Sequence, residues 1–196
     1  MKAKENKIKN KKVLFLITIG IILIILALCL LIYNSYVDQK AGKESKKVVE
    51  TIQEELKGKE KELETIKIDG NEYIGIINIP SLNLELPVMS DWSYKKMKIS
   101  PVRYHGSLKN NDLVICAHAM KNLFGNIKNL TKGDILIFTD VNGDEYLYEV
   151  KVIEILKPED IEEMIESEFD LTLFTCTYDS QNRVTVRFNR IDAIND

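Results

Sequence analysis

From Val13 to Tyr33 no charged side chain interrupts the chain, and eighteen of these residues are strongly apolar. Such a stretch, wound as a helix, is long enough to cross a hydrocarbon layer of about 30 Å, and in lipid a single segment satisfies its own backbone only as a helix. Residues 1–12 precede it with six lysines and one acid. By the positive-inside rule this basic tail stays in the cytoplasm and the C-terminal bulk lies outside the cell. A cleaved signal peptide would have a shorter apolar core, of about 7 to 15 residues, and a small-x-small cleavage site. Leu30-Leu31-Ile32-Tyr33 supplies none. Cys29 follows Leu28 where a lipidated cysteine needs a small neighbour, so it reads as one more apolar residue in the span.

The remainder constrains function by charge. Setting aside the tail's six lysines and one acid leaves 21 basic against 29 acidic residues, a formal balance of −8, which argues against a nucleic-acid partner. Residues 34–69 are dense in Lys and Glu, with Val49, Ile52, Leu56, Leu63 and Ile66 in a three-and-four rhythm. That pattern predicts a helical stalk, and Gly58 and the intervening charges favour a solvated spacer over a coiled coil.

From Gly70 the pattern turns to short β-rich runs separated by turn residues. Seven strands are expected: Tyr73–Ile79, Leu84–Val88, Leu113–Ala117, Ile135–Thr139, Tyr146–Leu156, Leu171–Thr175 and Val184–Phe188. Many short strands at close spacing make an all-β barrel or sandwich. Asp140-Val141-Asn142-Gly143-Asp144 reads as an Asn-Gly hairpin rather than a calcium loop. Pro158–Glu168 is the expected helix, opened by proline and acids.

Three residue types then carry chemistry. Thr172-Leu173-Phe174-Thr175-Cys176 sets a cysteine at a strand end with Arg183 seven residues on, and Val114-Ile115-Cys116-Ala117-His118 ends a second strand on a histidine. A thiolate, an imidazole and a guanidinium suffice for acyl transfer: one attacks the carbonyl, one moves protons, one steadies the oxyanion. Arg187 lies four residues beyond Arg183, hence on the same strand face, and both are expected to reach the cleft. His105, in Tyr104-His105-Gly106-Ser107, reads as part of a turn. Cys116 shares a strand face with His118 and reads as a small core residue; in an exported domain it has the parity to pair with Cys176.

The order of an apolar anchor, Tyr73-Ile74-Gly75-Ile76-Ile77-Asn78-Ile79-Pro80, Leu86-Pro87-Val88, a strand ending in His118 with Phe124-Gly125 and Leu130 after it, and Leu171-Thr172-Leu173-Phe174-Thr175-Cys176 resembles the sortases, the membrane-anchored cysteine transpeptidases of Gram-positive bacteria. The resemblance covers residues 70–192. It implies a closed sortase-type β-barrel of about seven to eight strands with one or two short helices, after a transmembrane anchor and a helical stalk. The expected domains are then 1–12 cytoplasmic tail, 13–33 signal anchor, 34–69 stalk and 70–196 extracellular catalytic domain.

By the same resemblance Cys176 is the nucleophile that cleaves a Leu-Pro-x-Thr-Gly-like (LPxTG-like) sorting signal after threonine. His118 is the acid and base, Arg183 holds the oxyanion or substrate backbone, and Thr175, Arg187 and Leu173 contact substrate. The implied partners are LPxTG-like surface proteins, a lipid-linked peptidoglycan-precursor amine and the membrane, with no cofactor and no metal. Ala117 departs from the glycine that commonly precedes the family's histidine, and features of classes B and D leave the subclass open. With no aromatic lid near the N-terminus, cell-wall anchoring is expected rather than pilin polymerisation. The rival readings are a cysteine peptidase that only hydrolyses and a non-enzymatic β-domain that binds a partner.

Overall fold

A computed structural model describes residues 2–56 and 65–191. Gly58 and Leu63 of the expected stalk, and residues 192–196 of the expected catalytic domain, lie outside the described residues. Two compact units divide the chain, Met1–Gln39 and Lys40–Asp196. Helix α1 (Lys2–Leu56) supplies all of the described structure of the first. Its apolar side chains from Ile19 to Tyr33 are largely exposed, and the helix over Ile19–Ile52 is long and apolar enough to cross a membrane.

The second unit is built on nine strands: β1 (Ile66–Ile68), β2 (Asn71–Ile79), β3 (Leu84–Met89), β4 (Val102–His105), β5 (Leu113–Cys116), β6 (Ile135–Asp140), β7 (Glu145–Leu156), β8 (Leu171–Cys176) and β9 (Arg183–Arg190). The strands follow the order β1-β2-β3-β4-β5-β8-β9-β7-β6, and a further β2–β6 pairing closes strands β2 to β9 into an eight-stranded barrel. The extra strand β1 lies on β2 outside the closure. All seven expected strands are present. The two unforeseen ones, β1 and β4, carry too few apolar residues to register as periodic. His105, expected in a turn, ends β4, and Gly106 (φ +71°) makes the bend that follows it.

Closure depends on Gly75. Its φ of +153° lies where side chains are strained, and a Cβ there would meet the Thr139 carbonyl oxygen at 2.2 Å. The register of β2 on β3 shifts between Tyr73 and Gly75. Past that bulge the strand's faces exchange, so Ile74, Ile77 and Ile79 fill the barrel, while Tyr73 and Ile76 pack in a second cluster outside it.

That outer cluster also receives α1. Val49 and Ile52 are buried against Ile66, Ile68, Tyr73 and Ile76, and the Ser45 hydroxyl donates to the Ile99 carbonyl at 3.3 Å. Residues expected as a solvated spacer therefore include a packed turn of helix, and β1 begins inside the same expected segment. Coverage on both faces is why β2 reads as a nearly unbroken apolar run. By contrast β6, open on one side, alternates half-exposed and buried positions.

The expected helix at Pro158–Glu168 is only α2 (Ile161–Ile165). Glu159, Asp160, Glu162, Glu163 and Glu166 crowd it with like charges at helical spacing. Only Met164 is buried to hold it.

Candidate active site

The site lies where β5, β8 and β9 meet. Strands β5 and β8 run parallel with Cys116 opposite Phe174. Continuing two residues past each brings His118 and Cys176 to the same end of the sheet. Beyond the ladder, the Ala117 amide donates to the Phe174 carbonyl (3.4 Å) and the Thr175 hydroxyl donates to the Ala117 carbonyl (2.8 Å). Thr175 thus fixes the peptide immediately before His118. Strand β9 returns antiparallel, and its first residue, Arg183, stands directly opposite Cys176.

His118 is held on its other side as well. Its amide donates to the Met97 carbonyl at 2.9 Å, and its own carbonyl accepts from Met120 (2.8 Å) and Phe124 (3.4 Å). Burial lowers the His118 imidazole below its usual range, with the Lys98 ammonium acting in the same direction. A half-buried imidazole that prefers to be neutral is suited to exchanging protons.

A cavity of about 190 Å³ opens beside Cys176. Its floor is Cys116, Ala117, Phe174, Thr175, Cys176 and Arg183; one wall is Trp92, Tyr94, Met97 and Tyr104; the other is Lys157, Pro158, Asp160, Ile161 and Met164. Tyr104 stands edge-on to Phe174, with centroids 5.2 Å apart, and Trp92 edge-on to Tyr104 at 6.2 Å. Tyr104 belongs to β4, and the other two rings of the wall come from the β3–β4 connection, where Trp92 and Tyr94 sit among lysines with no strand or helix period to mark them. Cys116 lies under this wall as a free thiol, as Cys176 is also free. Burial, reinforced by Cys176, pushes the Cys116 thiol up to about 12.

Two residues expected to contact substrate are placed elsewhere. Leu173 points into the barrel core with no exposed surface, because strand alternation sends it to the face opposite Phe174. Arg187 is on the same face as Arg183, as the parity predicts, but it is 3 % exposed and lies under α2. Its guanidinium donates to Glu154 Oε1 (2.8 Å), Thr172 Oγ1 (3.0 Å) and the Met164 (3.1 Å) and Glu163 (2.6 Å) carbonyls. Sequence parity gives the face of a strand and not what covers it. Arg183 lines the cavity, and its Nη1 donates to the Asn182 carbonyl at 3.1 Å.

No group of three His, Cys, Asp or Glu side chains among the described residues converges to hold a metal.

A family model described as the sortase domain matches residues 77–191. The chain belongs to the sortase family. Sortase A of Bacillus anthracis is 31% identical over 122 residues, covering 59% of this chain and 57% of that protein. The chain therefore spans little more than half the length of this curated relative. Among solved structures, sortase C1 of Streptococcus agalactiae superposes with a TM-score of 0.57 at 30% identity, over 66% of this chain and 72% of that one. A Clostridium perfringens sortase D5 transpeptidase shares the fold with a TM-score of 0.63 at 23% identity, over 76% of this chain and 99% of that one. The closed eight-stranded barrel is the sortase fold.

Proposed function

We propose that this sortase is a membrane-anchored transpeptidase whose Cys176 cleaves a Leu-Pro-x-Thr-Gly-like sorting signal after threonine and passes the acyl group to an amine. The observation that carries the reading is the opposition of Cys176 and Arg183 at the mouth of an apolar cavity, with His118 at the same sheet end. The neutral His118 takes the proton of the Cys176 thiol as the sulfur attacks the threonine carbonyl, and the electrons shift onto its oxygen, where the Arg183 guanidinium stabilises the negative charge. Collapse of this tetrahedral species expels the glycine amine, which takes a proton from the His118 imidazolium. The product is a Cys176 thioester. An incoming amine gives a proton to the now neutral His118 as it attacks the thioester, and breakdown of the tetrahedral species yields a new amide and releases the Cys176 thiolate, which recovers the proton from the His118 imidazolium.

The cavity's aromatic and aliphatic walls suit the leucine and proline of such a signal. Val13–Tyr33 is the anchor, with the basic tail in the cytoplasm and the barrel outside. The surface proteins so processed would be joined to a lipid-linked cell-wall precursor amine. Thr175 contributes by fixing the backbone before His118, and its cavity-facing surface meets substrate.

The test is cleavage of quenched sorting-signal peptides by the full-length protein in detergent, with and without a glycine-based amine. Ligated product that grows with amine concentration supports transpeptidation. Cleavage that yields only the free acid at every amine concentration would instead mark a hydrolase.

A further inference from the structure

The connection between β3 and β4 is only half accounted for by the cavity. It reads Asp91-Trp92-Ser93-Tyr94-Lys95-Lys96-Met97-Lys98. Trp92, Tyr94 and Met97 all line the cavity, but Trp92 is still 49% and Tyr94 64% exposed, and Lys95 and Lys98 are exposed with them. Lys98 Nζ lies 4.9 Å from the centre of the Tyr94 ring, so the basic and aromatic groups form one patch. Lys96 is paired with Asp91 at 2.6 Å.

Indole and phenol rings beside long lysine stems are what a bilayer interface selects. The rings settle at headgroup depth, and the ammonium groups reach lipid phosphates. Charge on the rest of the unit gives the contact a direction. The opposite wall of the cavity, residues 157–170, carries seven acidic residues and one lysine, and an anionic surface repels it. The exported part as a whole, at −8, would not adsorb without a local basic patch.

We propose that the Trp92–Lys98 segment docks the catalytic unit onto the anionic bilayer surface. The proposal rests on the reading of Val13–Tyr33 as a membrane anchor. A chain held in the bilayer keeps this patch at high effective concentration, so a few weak contacts suffice. Lys98 is near enough to His118 to act on its charge, and the Met97 carbonyl holds the His118 backbone. Docking therefore brings the lipid surface to the His118 side of the site, where an amine carried on a lipid would arrive.

Trp92 is the chain's one tryptophan, so intrinsic fluorescence reports on this segment alone. The full-length protein is placed in nanodiscs of phosphatidylcholine, with or without phosphatidylglycerol, and with acyl chains brominated or not. In anionic discs the expected result is blue-shifted Trp92 emission that brominated lipid quenches, as for a ring seated at headgroup depth. High salt, or the Lys95→Glu/Lys98→Glu variant, should reverse both. Solvent-like emission unquenched by brominated lipid, in protein that co-elutes with the discs, overturns the docking alone. Protein that fails to co-elute overturns the anchor and the docking together. A blue shift appearing only when a soluble sorting peptide is added, without lipid quenching, gives the segment to substrate and also overturns the proposal.

Discussion

Cys176 and Arg183 are cross-strand partners, facing each other at the last rung of the β8–β9 ladder. The rung fixes the two backbone positions side by side, and both side chains line the same cavity. Arg183→Ala should lower kcat/KM for a sorting peptide by about 10²- to 10³-fold, the usual cost of losing an oxyanion donor. Because the side chain is half-exposed and donates to the neighbouring Asn182 carbonyl, stability should change by less than about 1 kcal/mol. Steady-state kinetics and denaturant unfolding of the same variant separate the two effects.

Arg187 should behave in the opposite way. Its removal strands Glu154, Thr172 and two α2 carbonyls that now accept from one buried guanidinium. Arg187→Ala is expected to cost about 3–5 kcal/mol, read by chemical denaturation. The kcat per folded molecule should fall far less than in Arg183→Ala. A variant as stable as the parent would show that α2 does not depend on this clamp.

The imidazole of His118 supplies a pH signature. Its folded value lies below the usual 6.5 of a free histidine, so the folded state binds that proton less readily than the unfolded chain does. The resulting stability is complete above about pH 6.5 and is lost as pH falls through the unfolded value toward the folded one. An NMR titration should place the His118 midpoint below that of a free histidine. Lys98→Met should raise it partway, since burial, the larger cause, remains. A midpoint at or above the free value would contradict the packing of this loop.

Cys116 and Cys176 are both free, yet they should differ sharply in reactivity. With its thiol at about 12 and almost no exposed surface, Cys116 should resist iodoacetamide at pH 7 until the protein is unfolded. Cys176 should alkylate in the native state. Peptide mapping by mass spectrometry distinguishes them, and equal native labelling would mean that the aromatic wall over Cys116 opens in solution.

The buried turn of α1 makes a further stability prediction. Ile52 has no exposed surface and packs in the cluster outside the barrel. Ile52→Ala in the full-length chain should cost about 2–4 kcal/mol of the barrel's unfolding free energy. An unchanged unfolding curve would return this segment to the role of a free spacer.

Legibility in the sequence followed the kind of pattern each element leaves. The seven anticipated strands announce themselves because covered faces demand apolar residues, and β2 and β5 read as unbroken runs because both of their faces are covered. Strand β4 pairs with β3 only at Met89–Val102 and carries Arg103 and His105, so no period marks it. The meeting of Cys176, His118 and Arg183 at one end of the sheet could be anticipated because each sits at or just past a strand terminus in a recognisable motif. Arg187 is expected in the cleft because it shares a strand face with Arg183, and Leu173 because the resemblance implies a substrate contact there. What excludes them is packing: the barrel core around Leu173 and α2 over Arg187. The docked turn at Val49 and Ile52 was hidden for a related reason, since two apolar residues in a charged helix reveal nothing about a partner surface distant in sequence. Trp92 and Tyr94 gave no signal beyond composition, because loop residues that line a cavity obey no repeat.

The central claim is covalent chemistry at Cys176, and intact mass spectrometry of the full-length protein incubated with Leu-Pro-x-Thr-Gly-like peptides tests it most directly. The account predicts an adduct equal to the peptide cleaved after threonine, mapped to Cys176, absent in Cys176→Ala, and converted to a new amide when a glycine-based amine is added. Peptide cleavage that persists in Cys176→Ala, or an adduct on any other residue, would contradict it.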